Sequence, residues 1–128
     1  MERRRVSSGT EWEPKVGYSR AIRAGDTVHV AGTTATDDDG EVVAPGDPRR
    51  QTEVALEIVA DALREAGASV EDVVRTRLFV TDIEDWEAIG RAHGAVFGDV
   101  RPAATMVEVD RLIDDDAVVE VEAVAIVN

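Results

Sequence analysis

The sequence predicts an α+β domain with a mixed sheet and two helices packed on one of its faces. Two segments, Val73–Val80 and Val118–Val127, alternate along their length as half-buried strands do, and two segments between Asp47 and Phe97 repeat apolar residues at helical spacing. Turn signals rich in glycine and aspartate separate them, so the order reads β-β-β-α-β-α-β-β. At 128 residues the chain suits a single domain, in which residues 1–16 form a poorly specified N-terminal segment.

Ser19–Arg23 and Thr27–Thr33 are β-rich runs joined by Ala24–Asp26, where Gly25 supplies the positive φ of a hairpin turn. The run TDDDGEVV is a polar turn leading to a short strand at Glu41–Val43. Its aspartates lack calcium-loop spacing and a closing glutamate, so a solvated loop is expected. Asp47 is placed to cap a helix that Pro48 opens, and Ala55, Ile58, Val59, Ala62, Leu63 and Ala66 form its stripe before Gly67 stops it. SVEDV gives a capped turn into Val73–Val80, where Val74, Thr76, Leu78 and Val80 share one face and Arg75, Arg77 and Phe79 the other. Asp82, with Asp85 three residues on, caps a second helix whose stripe is Trp86, Ile89, Ala92 or His93, and Val96 with Phe97. Ala103–Val109 is a strand, DRLIDDDA a polar turn, and in the last strand Val119, Val121, Ala123, Ala125 and Val127 oppose Val118, Glu120, Glu122, Val124 and Ile126.

Composition excludes several chemistries. There is no cysteine, which removes disulfides, thiolate zinc sites and a cysteine nucleophile. The formal charge is -13, from 27 acidic and 14 basic residues, and Lys15 is the only lysine. That pattern suits either a high-salt cytoplasm or a GC-rich genome, and it opposes nucleic-acid binding, which needs cations to neutralise phosphates. The opening MERRRVSSG precedes no apolar core of a signal peptide, and no stretch is long enough to span a membrane, so a cytoplasmic protein is expected. No phosphate loop, nucleophile elbow or metal motif occurs, so neither a metal nor a cofactor is expected.

Glu120 and Glu122 lie two apart on a strand, so both carboxylates leave one face within ~7 Å of each other. Such a pair can share a proton, and one member can serve as a general acid or hold a water. The alternative is an edge strand displaying solvated or salt-bridged glutamates. Glu108, on the neighbouring strand, either joins them or faces elsewhere. His29 and His93 have no partner at metal-ligand spacing, and a structural or exposed role is expected for each. Tyr18, the only tyrosine, stands two residues before Arg20 at the start of the first strand. A phenol and a guanidinium there suit an anionic or planar ligand; the alternative is an exposed tyrosine beside a surface arginine.

Four separated stretches, GYSRAIRAGDTVHVAGTTA, the run from RRQTEVALEIVADALREAG to TRLFVTDIEDW, RPAATMVEV and VEVEAVA, together resemble the Rid family, also called YjgF or RidA-like. The resemblance covers roughly Gly17 to Val127. It implies a chorismate-mutase-like α+β fold and a homotrimer with three ligand clefts between adjacent subunits. In the family's deaminase branch, an arginine on the strand after the second helix grips the carboxylate of a 2-imino acid, and water hydrolyses the imine to a 2-keto acid and ammonia. The family's Pro-Ala-Arg followed by serine or threonine is here Pro102, Ala103, Ala104 and Thr105, so Ala104 stands at the arginine's position. Met106 stands where many members have cysteine, and Gly90 where the second helix often has asparagine. The resemblance carries over Tyr18 at the cleft, Gly32 and Thr33 after the second strand, and Glu120 as the carboxylate that orients water.

Losing a bidentate arginine contact removes charge-assisted hydrogen bonds of about 1.5–3 kcal/mol each. Efficient deamination by the usual route is therefore not expected unless Arg20, Arg77 or Arg101 supplies a guanidinium, Arg20 being the favoured one. The expected function is binding of a small carboxylate or carbonyl metabolite in the clefts, with hydrolysis of an imine or enamine. A non-catalytic trimeric binding module is the alternative, and an endoribonuclease or translation inhibitor is the least compatible with the charge.

Overall fold

The alternation in the last strand comes from its place in the middle of a six-stranded mixed sheet. The computed structural model describes all residues, 1–128. The elements are β1 (Arg3–Val6), α1 (Trp12–Val16), β2 (Ala21–Ala24), β3 (Thr27–Thr33), α2 (Pro48–Glu65), β4 (Val73–Val80), α3 (Trp86–Phe97), β5 (Ala103–Glu108) and β6 (Val119–Ile126). They lie in the order β1-β2-β3-β6-β4-β5, antiparallel except for the β4–β5 pair. β6 has a neighbour on each side, so its glutamates stand at the centre of the sheet and not on an edge.

α2 and α3 pack together over one face, and the core lies beneath them. From the sheet it takes Val28, Val30, Leu78, Val80, Val119 and Val121; from the helices, Leu56, Val59, Leu63, Ile89 and Phe97. The other face, which carries Glu120 and Glu122, has no helix against it. No helix is long and apolar enough to cross a membrane.

The expected α+β class and two long helices hold, with three local corrections. Glu41–Val43 is not a strand: Val42 forms only an isolated bridge with Thr36, because the Asp37 side chain folds the intervening residues into a tight turn by accepting from the amides of Asp39 and Glu41. The N-terminal segment, in contrast, contributes β1, paired along β2, and the short α1. Glu13 anchors that segment: it is buried and accepts hydrogen bonds from the Ser8 amide, the Ser8 hydroxyl and Thr10. Burial opposes its ionisation, but these hydrogen bonds prevail and hold its carboxyl below the usual range. In β4, a register shift between Val73 and Arg75 turns Val73 into the core and leaves Val74 exposed.

Capping follows the sequence more closely at α2 than at α3. Asp47 accepts from the Arg50 amide, whereas Asp82 caps a single 3₁₀ turn, Ile83–Asp85, ahead of α3. α2 also buries two polar residues that an apolar pattern cannot reveal, Gln51 and Thr52. The Gln51 amide donates to the carbonyls of Ala44 and Asp116, and its oxygen accepts from the Val118 amide. One fully buried side chain therefore ties two loops to the helix. Gln51→Leu keeps the volume but leaves these backbone groups unsatisfied, at about 1–3 kcal/mol for each group. A stability loss of about 3 kcal/mol or more is expected, read from the urea unfolding midpoint.

Candidate functional site

Five of the expected site residues come together where β2, β3 and β6 meet. β3 changes register on β6 between Val30 and Thr33, and Gly32 sits within that irregularity. The Glu120 carboxylate lies over it so closely that a Cβ at Gly32 would stand 2.8 Å from Glu120 Oε1. Only glycine leaves this carboxylate its present position.

Arg20 holds the same turn through hydrogen bonds. Its Nη1 donates to the Gly32 carbonyl at 2.9 Å and to Thr33 Oγ1 at 3.0 Å, while Thr33 Oγ1 donates to the Ala31 carbonyl at 2.8 Å. Arg20 is buried, its Nε has no hydrogen-bond partner, and its guanidinium lies 5.5 Å from the centre of the Tyr18 ring. Of the alternatives the sequence left for Arg20, a surface arginine is thus ruled out.

The two glutamates of β6 have separate fates. Glu122 pairs with Arg77 at 3.0 Å. Glu120, opposite Phe79 and not opposite an arginine, is half-buried and enters no salt bridge. Burial pushes its carboxyl above the usual range; nearby Arg20 opposes that effect and Glu122 adds to it. A carboxyl so placed can exchange a proton with a bound water or ligand. Arg77 is occupied by Glu122, and Arg101 is exposed in the turn before β5 with φ 53°.

Ala104 and Met106 do not join this cluster within one chain. They lie on β5, the far edge of the sheet, with β4 between them and β6. Ala104 pairs with Thr76 and Met106 with Leu78, residues that face the helices, whereas Glu120 faces away from them. Glu108 is on the same edge and accepts from the Ile83 amide, so it is not a third member of the carboxylate group.

Sequence reasoning missed one pairing. Thr76 Oγ1 and His93 Nε2 are 2.9 Å apart, joining β4 to α3 beside Ala104. The available signal was Thr76 itself, the one polar residue among those assigned to the core face of that strand. The imidazole lies 4.7 Å from the Phe97 ring, and burial lowers its basicity.

This framework agrees with known proteins. A family profile described as Endoribonuclease L-PSP matches residues 9–127. The chain belongs to this family. A member of the YjgF/YER057c/UK114 family from Mycobacterium tuberculosis is 48% identical, with a TM-score of 0.90 over 98% of this chain and 100% of that one. A Rid-family protein of unknown function from Yersinia pestis is 30% identical, with a TM-score of 0.80 over 86% of this chain and 87% of that one. The 3-aminoacrylate deaminase RutC of Acinetobacter baylyi is 35% identical over 112 residues, 88% of each chain. The resemblance to Rid proteins is therefore genuine kinship, and the L-PSP family includes both a named deaminase and members without an assigned activity.

Proposed function

We propose that this L-PSP family protein forms a homotrimer that binds a small carbonyl, imine or enamine compound in clefts between subunits. The observation that carries this reading is Glu120, half-buried and unpaired, held over Gly32 beside Arg20 and Tyr18. Tyr18, Arg20, Gly32 and Thr33 form one wall of the cleft; Ala104 and Met106 of an adjacent copy supply the other, which explains why the two groups are far apart in a single chain. With an imine bound, Glu120 takes a proton from water as the oxygen adds to the C=N carbon and passes it to nitrogen. Glu120 then carries the remaining hydroxyl proton to the nitrogen of this carbinolamine as the C–N bond breaks, so that ammonia leaves, the carbonyl remains and the hydrolysis balances.

The second reading, a non-catalytic binding module, draws on Ala104, which is exposed and offers no charge where the resemblance implies an arginine. Enzymatically generated 2-iminopropanoate separates the two: slow but Glu120-dependent turnover supports the enzyme, and none supports the module. A ribonuclease is disfavoured by the charge of -13, and RNA binding that survives high salt would contradict that judgement. Light scattering should give three times the subunit mass.

Arg20→Ala should weaken binding of pyruvate, a product-like probe, by about tenfold or more, as expected for loss of a charge-assisted contact to its keto oxygen. An unchanged affinity in a calorimetric titration would remove Arg20 from the ligand site.

A further inference from the structure

The Thr76–His93 pair gives the β5 edge a polar group of its own. Ala104 stands beside Thr76 in register, about 4.8 Å away across the strands. Gly90, one turn before His93 on α3, has nothing within 4 Å of where a Cβ would be. Ala104 and Gly90 thus add no bulk next to the Thr76–His93 pair, and Met106, partly buried against the core, follows Ala104 two residues along the strand. The residues around the pair, Thr76, His93, Gly90, Ala104 and Met106, include no carboxylate and no guanidinium. Nearby charges are turned elsewhere: Arg75 donates to Thr105, Arg91 pairs with Glu87, and Glu108 accepts from Ile83.

At this edge His93 is fixed and yet available. Nε2 is held by Thr76 and the ring by Phe97, while Nδ1 makes no hydrogen bond and is not sealed from solvent. We infer that His93 is a ligand-binding residue, and that this uncharged edge takes a neutral carbonyl or amide end of the ligand and disfavours a carboxylate. The inference rests on the proposed cleft, whose second wall is this edge. A histidine kept neutral by burial suits the task, because its free nitrogen hydrogen-bonds an uncharged group without drawing in an anion.

Pyruvamide and pyruvate have the same shape and differ in charge, so titrating both tests the assignment. The wild-type protein should bind pyruvamide about tenfold more tightly than pyruvate, the worth of roughly one hydrogen bond. His93→Phe, which keeps the ring against Phe97, should remove that preference; His93→Gln, which keeps a hydrogen-bonding group, should hold pyruvamide within about threefold of wild type. Matching circular dichroism melts establish that the variants fold. Pyruvamide affinity unchanged in H93F, or equal affinities for the two probes in wild type, overturns the inference and leaves the cleft standing. Binding of neither probe overturns both.

Discussion

Glu120→Gln should lower hydrolysis of 2-iminopropanoate by about 10²–10⁴-fold, the usual contribution of a positioned general acid or base, while making the protein more stable at pH 7. The two effects have one origin. Burial raises the Glu120 carboxyl above its usual range, so the folded protein holds that proton more tightly than the unfolded chain does. The resulting stabilisation is fully present below the unfolded carboxyl's pKa and is lost as pH rises through the raised folded value. Above that value the wild type carries a half-buried charge without a salt-bridge partner, and a neutral glutamine removes the cost at any pH where the unfolded carboxyl is ionised. The stability advantage of E120Q should therefore shrink as the pH falls into the ordinary carboxylate range, which thermal melts across that range will show. A variant less stable than wild type at pH 7 would mean that Glu120 is paired in the assembled protein and is not poised to exchange a proton.

Ala104→Arg should do the opposite to substrate capture. Two charge-assisted hydrogen bonds to a carboxylate, each about 1.5–3 kcal/mol, correspond to a rise in kcat/KM for 2-iminopropanoate of about 100-fold or more. The position tolerates the change because Ala104 is exposed on an edge strand. Should Arg20 already grip the carboxylate, the added arginine would bring little. An unchanged rate would thus assign anion binding to Arg20 and contradict the reading of Ala104 as the vacant place.

Much of this was legible in the sequence where one physical signal dominated. Val119, Val121, Ala123 and Ala125 alternate with polar or half-buried neighbours because one face of β6 meets the core, and that period alone put Glu120 and Glu122 on the same side. The signal failed where position in the sheet decides the outcome. Glu122 finds Arg77 across the strands and Glu120 finds Phe79, a difference of register that no spacing within one strand contains. It failed again at β1, whose three consecutive arginines lack alternation because an edge strand can be held by backbone pairing alone. Arg23 illustrates a third limit. It caps the end of α2 by donating to the Ala66 carbonyl at 3.0 Å, a contact between elements far apart in sequence. His93 was undervalued for the same reason: its partner, Thr76, lies on a different element.

The cleft between subunits is the claim on which the functional reading depends, and a crystal structure of the protein soaked with pyruvate tests it most directly. The expected result is a trimer with pyruvate bound between the Tyr18, Gly32 and Glu120 wall of one subunit and the β5 edge of the next, within hydrogen-bonding reach of Glu120. A monomer, or a trimer with pyruvate bound elsewhere and Glu120 sealed against a neighbouring chain, would contradict it.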